Sequence, residues 1–93
     1  MAHSFLILQR SDGAIVAFRD EDKLAVPLYT DPGRAAQAAS KLLGAKGAAV
    51  PMPAATASEF GEKCLPAGVR LIRLNPLLEA FEGKQLEFVD IPG

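Results

Sequence analysis

The chain holds one cysteine and one histidine. A lone cysteine, Cys64, has no partner for an internal disulfide, so the sequence gives no sign of an oxidising compartment. One His and one Cys, without CxxC or HxxxH spacing, are too few for a structural zinc site, which needs three or four convergent ligands. A Ser-His-Asp arrangement would have to use His3, close to the chain start and without ordered context. No apolar run is long enough to cross a bilayer, Phe5–Leu8 being the most compact. The first residues lack the basic segment, long apolar stretch and small-residue cleavage site of a secretory signal, which leaves the cytoplasm as the expected location. Charge of one sign is missing too. Ten Lys and Arg against eleven Asp and Glu give a net charge of −1, with the basic residues scattered and no run of like charges. Nucleic-acid binding draws on a basic face that displaces counterions from phosphates, so neither nucleic acid nor membrane is expected as a partner.

What is present is an ordinary globular composition, 49% hydrophobic and 23% charged over 93 residues. That is the length of one domain, residues 1–93, with surface burial for one core and not two. Much of the apolar content is alanine, which lets backbones approach closely while burying little area per residue.

The order of elements follows from local patterns. Phe5–Leu8 and Ala14–Phe18 flank Asp12-Gly13, a turn pair in which Gly accepts positive φ, and form a hairpin. Both strands are apolar on both faces, as a central strand is. After the charged stretch 19–23, Leu24–Tyr29 reads as a third strand. Pro27 has no N–H for a ladder bond, which predicts an edge strand or a bulge there. Thr30-Asp31-Pro32 opens a helix, with Thr30 or Asp31 as the cap and Pro32 in the first turn. Ala35, Ala38, Ala39, Leu42 and Leu43 repeat at helical spacing along one buried face, Arg34, Gln37 and Lys41 lie opposite, and Gly44 ends the run. Ala48–Met52 is a weaker strand. Thr56 and Glu59 have capping-box spacing and start a short helix with Ala57, Phe60 and Cys64 inward. Val69–Leu74 is a fifth strand, Asn75-Pro76 caps a third short helix over 77–81, and Leu86–Ile91 is a last strand. The class predicted is α+β: a single mixed β-sheet of five to six strands with two to three helices packed on it, in the order βββαβαβαβ.

Two of these segments resemble a known family. Leu24-Ala25-Val26-Pro27-Leu28-Tyr29-Thr30-Asp31-Pro32 running into an alanine-rich helix is similar to the opening of the SseB-like amino-terminal domain. Ala49-Val50-Pro51-Met52 with the capped helix at Thr56, and Gly68–Leu74 ending in Asn75-Pro76, fit its next strand, helix and strand. The likeness spans about residues 24–76. Gly33 and Arg34 stand where members usually carry an acidic residue, and Leu77-Leu78 where many have Gly or Ser. The resemblance implies a regulatory or partner-binding protein, linked to altered serine sensitivity, for which no catalytic residues are established.

The chemistry-bearing residues read mostly as structural. Cys64 sits on the apolar face of its helix and has no base in reach, so it reads as a packed thiol. Asp20-Glu21-Asp22 lacks the ligand periodicity of a calcium loop and reads as a solvated hairpin connection. The glutamates fall on caps and exposed faces, and the glycines match no phosphate or dinucleotide motif. No catalytic residue, metal or cofactor is expected. The candidate binding residues are Thr30, Asp31 and Arg34 at the first helix start, where free N–H groups and a guanidinium face an anion, with Asn75 at a neighbouring strand end. The function expected is a non-enzymatic protein-interaction or regulatory module whose partner is another protein or itself. A homodimer would form through the edges 24–29 or 86–91, or through Leu77-Leu78. The alternatives are a small-molecule or anion-binding domain, or small enzyme, using the Thr30–Arg34 helix start, and a structural domain whose partner supplies the activity.

Overall fold

The computed structural model describes residues 5–91. Strands β1 (Leu6–Arg10), β2 (Ile15–Asp20) and β3 (Lys23–Leu28) lead into helix α1 (Pro32–Leu42). Strand β4 (Gly47–Pro51), helix α2 (Ala57–Cys64), and strands β5 (Val69–Leu74) and β6 (Leu86–Val89) follow. The class is α+β, with one mixed six-stranded sheet, two α-helices and short 3-10 turns among the described residues.

The sheet branches at β2. β6 runs antiparallel along one edge of β2, from Ile15↔Val89 to Phe18↔Leu86. β1 and β3 share the opposite edge: β1 meets it at Gln9↔Ile15, and β3 at 18–20. Between these points β1 and β3 peel away and pair with each other, Leu6 N–H donating to Tyr29 O at 2.7 Å and Tyr29 N–H to Leu6 O at 2.9 Å. β4 then closes the outer edge of β1, antiparallel, and β5 that of β3, parallel.

This branch explains Pro27. β3 is an interior strand, not an edge, and its one register shift lies two residues earlier, between Leu24 and Ala25. Asn75 N–H donates to Leu28 O at 2.7 Å, so Leu28 turns its peptide groups toward β5, and alternation turns Pro27 the other way. There the Ala25↔Phe18 pair lies on one side and the Tyr29–Leu6 bonds on the other. Pro27 N points into the gap where β3 has left β2, so its missing N–H falls between the ladder pairs on either side. Neither helix bridges successive parallel neighbours: β4 pairs antiparallel with β1, and β5 reaches β3 only after α1, β4 and α2.

Alternation along the strands builds two half-cores instead of one. Ile7, Ile15, Ala17, Leu24, Val26 and Leu28 face α2, packing with Phe60 and Cys64. Leu8, Val16 and Tyr29 face α1, whose Ala35, Ala38 and Ala39 let the helix sit close to the sheet. Phe18 continues that second face onto Phe81, edge to face at a centroid distance of 5.0 Å.

The caps settle which residues stay free. Asp31, not Thr30, caps α1, accepting from Gly33 N–H at 2.9 Å and Arg34 N–H at 3.4 Å. Thr56 Oγ1 accepts from Glu59 N–H at 3.1 Å, while Glu59 reaches past Thr56 to accept from Ala55 N–H at 3.2 Å. The expected third helix is a 3-10 turn, Leu78–Phe81, with no side-chain cap, because the side chain of Asn75 is engaged elsewhere.

Candidate functional site

The end of β3 and the end of β5 lie side by side, which brings the proposed binding residues together. Asn75 has φ 46, in the left-handed region that Asn tolerates better than most residues. That turn aims its amide at Thr30: Thr30 N–H donates to Asn75 Oδ1 at 3.0 Å, and Asn75 Nδ2 donates to Thr30 Oγ1 at 2.9 Å. Tyr29 OH donates to Pro76 O at 3.1 Å across the same seam. Burial pushes the Tyr29 hydroxyl up to about 12, against a small opposing effect of the Arg34 charge. Asp31 is taken up by its own helix. Arg34, exposed, lies 3.9 Å from Asp31.

Thr30, Asp31 and Asn75 therefore satisfy one another or the backbone. The hollow beside them, between Tyr29, Arg34, Gln37 and Pro76–Leu78, holds about 70 Å³. Metabolite sites usually offer several hundred.

A second cluster lies at the other side of β5. Asp20, only 18% exposed, accepts from Arg73 Nε at 2.8 Å and Nη2 at 2.6 Å, with Lys84 Nζ at 3.6 Å. The hydrogen bond from Arg73 holds the Asp20 carboxyl below its usual range, against the opposing effect of burial. Asp20 is thus more than part of a solvated connection. It ties β2 to β5 and to the segment before β6. These three residues and Phe18, Ile72 and Leu74 border an open groove of about 500 Å³. On the other face of β5, between it and α2, a groove of about 250 Å³ is lined by Gly61, Glu62, Leu65, Arg70 and Ile72 among others. The sequence does hold a signal for this cluster, since Arg70 and Arg73 interrupt an otherwise apolar strand, but not for its partner.

Four large apolar side chains are exposed around the ends of β5: Leu65 at 50%, Leu74 at 59%, Leu77 at 56% and Leu78 at 36%. Leu77-Leu78 is surface, as the interface reading requires. Of the two edges expected to pair with a partner, 24–29 is interior, while β6 does leave one side open among the described residues.

Cys64 is fully buried against the α2 face of the sheet, and burial pushes its thiol up to about 11. A thiolate nucleophile needs the opposite shift. His3 lies outside the described residues. Among the described residues no three His, Cys, Asp or Glu side chains converge as metal ligands, and no helix is long and apolar enough to cross a membrane.

Comparison with protein-family models, with curated proteins and with solved structures returns no match to the chain.

Proposed function

We propose that the chain is a non-enzymatic protein-interaction module that works through the surface around β5. The observation that carries this reading is the exposure of Leu65, Leu74, Leu77 and Leu78 beside an open strand. Leu74, Leu77 and Leu78 lie at the carboxyl end of β5 and Leu65 lies before its start, and such exposed apolar side chains cost solvation unless a partner covers them. The buried, high-pKa thiol of Cys64 and the mutual satisfaction of Thr30 and Asn75 support a role without chemistry. The likeness of residues 24–76 to the SseB-like domain supplies the regulatory part of the reading, with a cytoplasmic setting. Self-association is one form of this reading, running through the exposed Leu77-Leu78 pair and not through two β5 edges laid side by side.

The test compares capture by the wild-type chain with capture by a Leu74→Asp, Leu77→Asp double variant. Both sites are exposed, so circular dichroism should show an unchanged fold. Expected is at least one partner, or the chain's own dimer by sedimentation, held by the wild type and lost by the variant. Identical partners and identical sedimentation would refute the reading. The alternative, anion or small-molecule binding at Thr30–Arg34, is tested by a thermal-shift screen. A ligand at a hundred times its Kd adds about 2.7 kcal/mol.

A further inference from the structure

We propose that β5 takes an extended, acidic segment of another protein as an added strand. This rests on the interaction reading above and names the partner's chemistry.

The first observation is the backbone. Arg73 and Asn75 turn their peptide groups toward Leu28 of β3, as the 2.7 Å Asn75 N–H to Leu28 O bond fixes. The alternating groups of Ile72 and Leu74 therefore face outward, and among the described residues no strand covers them. The other open edges are poorer templates. β4 has five residues and ends in Pro51, and β6 has four, while β5 has six and no proline.

The second observation is the pair of grooves flanking β5, about 250 Å³ on the α2 face and about 500 Å³ on the other. An added strand sends alternate side chains to opposite faces, one set into each groove.

The third is charge. Arg73 and Lys84 share the single carboxylate of Asp20, and Arg73 is half exposed, so the larger groove keeps a surplus positive charge beside the strand. The α2 groove is mostly apolar, with Leu65 half exposed. A strand that alternates apolar and acidic residues answers both. A second copy of the chain would set Arg70, Arg73 and Lys84 against their own kind, which opposes self-pairing along this edge.

The probe is a fluorescent peptide of alternating valine and glutamate, with a valine–lysine peptide as its counterpart, added to the full chain. Amide chemical shifts map the site and anisotropy gives affinity. Expected shifts centre on Ile72 and Leu74. Leu74→Pro removes an outward N–H without touching the ladder to β3 and should weaken binding about tenfold, the effect of losing one hydrogen bond. Leu74→Ala, which keeps the N–H and loses only side-chain contact, should weaken binding by less than Leu74→Pro does, and the lysine peptide should bind more weakly than the glutamate one. Equal binding of the two peptides, shifts centred on β4 or β6, or equal effects of Leu74→Pro and Leu74→Ala would each overturn the proposal. So would no peptide binding. If partners lost by the Leu74→Asp, Leu77→Asp variant are still captured in that case, the interaction reading stands without the acidic strand.

Discussion

Replacing Asn75 tests the seam between β3 and β5 most directly. Its side chain makes two hydrogen bonds to Thr30, at 3.0 and 2.9 Å, from a half-buried position with φ 46. Asn75→Ala removes both bonds, at about 1 kcal/mol each. It also places a residue with no local polar compensation in the left-handed region, for roughly 1 kcal/mol more. The expected loss is about 3 kcal/mol on those two counts. Asn75→Gly loses the bonds but adopts the backbone freely, so it should fall between Ala and wild type. Asn75→Asp keeps an acceptor for Thr30 N–H, and the Thr30 hydroxyl can turn to donate to the second carboxylate oxygen, so it should stay within about 1 kcal/mol. Urea unfolding separates the three. With slopes of roughly 1–3 kcal/mol per molar urea, Asn75→Ala should lower the midpoint by about 1 M or more. If Ala and Gly unfold at the same urea concentration, the positive φ carries no cost and that part of the reasoning fails. If Ala matches wild type, the bonds to Thr30 contribute nothing.

Gly47→Ala should destabilise by about 1–3 kcal/mol, because overpacking forces backbone shifts. The added Cβ would lie 2.5 Å from Leu43 Cδ1 and 2.6 Å from Gln9 O, and a thermal melt unchanged from wild type would refute the clash. Cys64 should resist iodoacetamide until the chain unfolds, since it is fully buried with its thiol pushed up to about 11. Fast alkylation of folded protein would contradict that burial. The same shift fixes a pH dependence: its contribution is complete below the ordinary thiol value of 9 and fades as pH rises from there through about 11. Urea midpoints should therefore drop across that window, and less so in Cys64→Ala.

Legibility followed the range of the interactions. α1 was readable because its cap, first-turn proline and buried alanines lie within one short stretch, and physics inside that stretch decides them. The hairpin of β1 and β2 was readable from Asp12-Gly13, where Asp12 accepts from Ala14 N–H at 3.1 Å and Gly13 has φ 96. The third helix failed for a long-range reason. Asn75 had the composition of a cap, but Thr30, 45 residues away, holds its side chain. Pro27 has the sequence signature of an edge or bulge, and nothing local to it shows that β3 leaves β2 midway. Thr30 and Asn75 lie side by side because β3 and β5 pair in parallel with their carboxyl ends level, and the bonds between the two side chains are long-range and not legible in the sequence. Asp20 and Arg73 are 53 residues apart, and Asp20 sits in a charged run whose local appearance is that of a solvated turn.

The branch in the sheet decides which surface is left for a partner. β2 is covered on both sides, by β6 and by the shared approach of β1 and β3. β3 leaves β2 at Pro27 and meets β5, so the outer boundary there falls on β5. The polar groups near this boundary do two different jobs. Thr30, Asn75 and Tyr29 OH bond inward and pin the carboxyl end of β5, while Asp20 holds Arg73 and Lys84 on its flank. What is left outward is the backbone of Ile72 and Leu74, the cationic surplus and the leucines. A rigid strand costs less entropy to engage than one that must be ordered on binding. If β5 takes a partner strand as proposed, the inward bonds hold it ready without touching the partner, and loosening Asn75 should degrade the edge at Leu74, its immediate neighbour, before it unfolds the sheet.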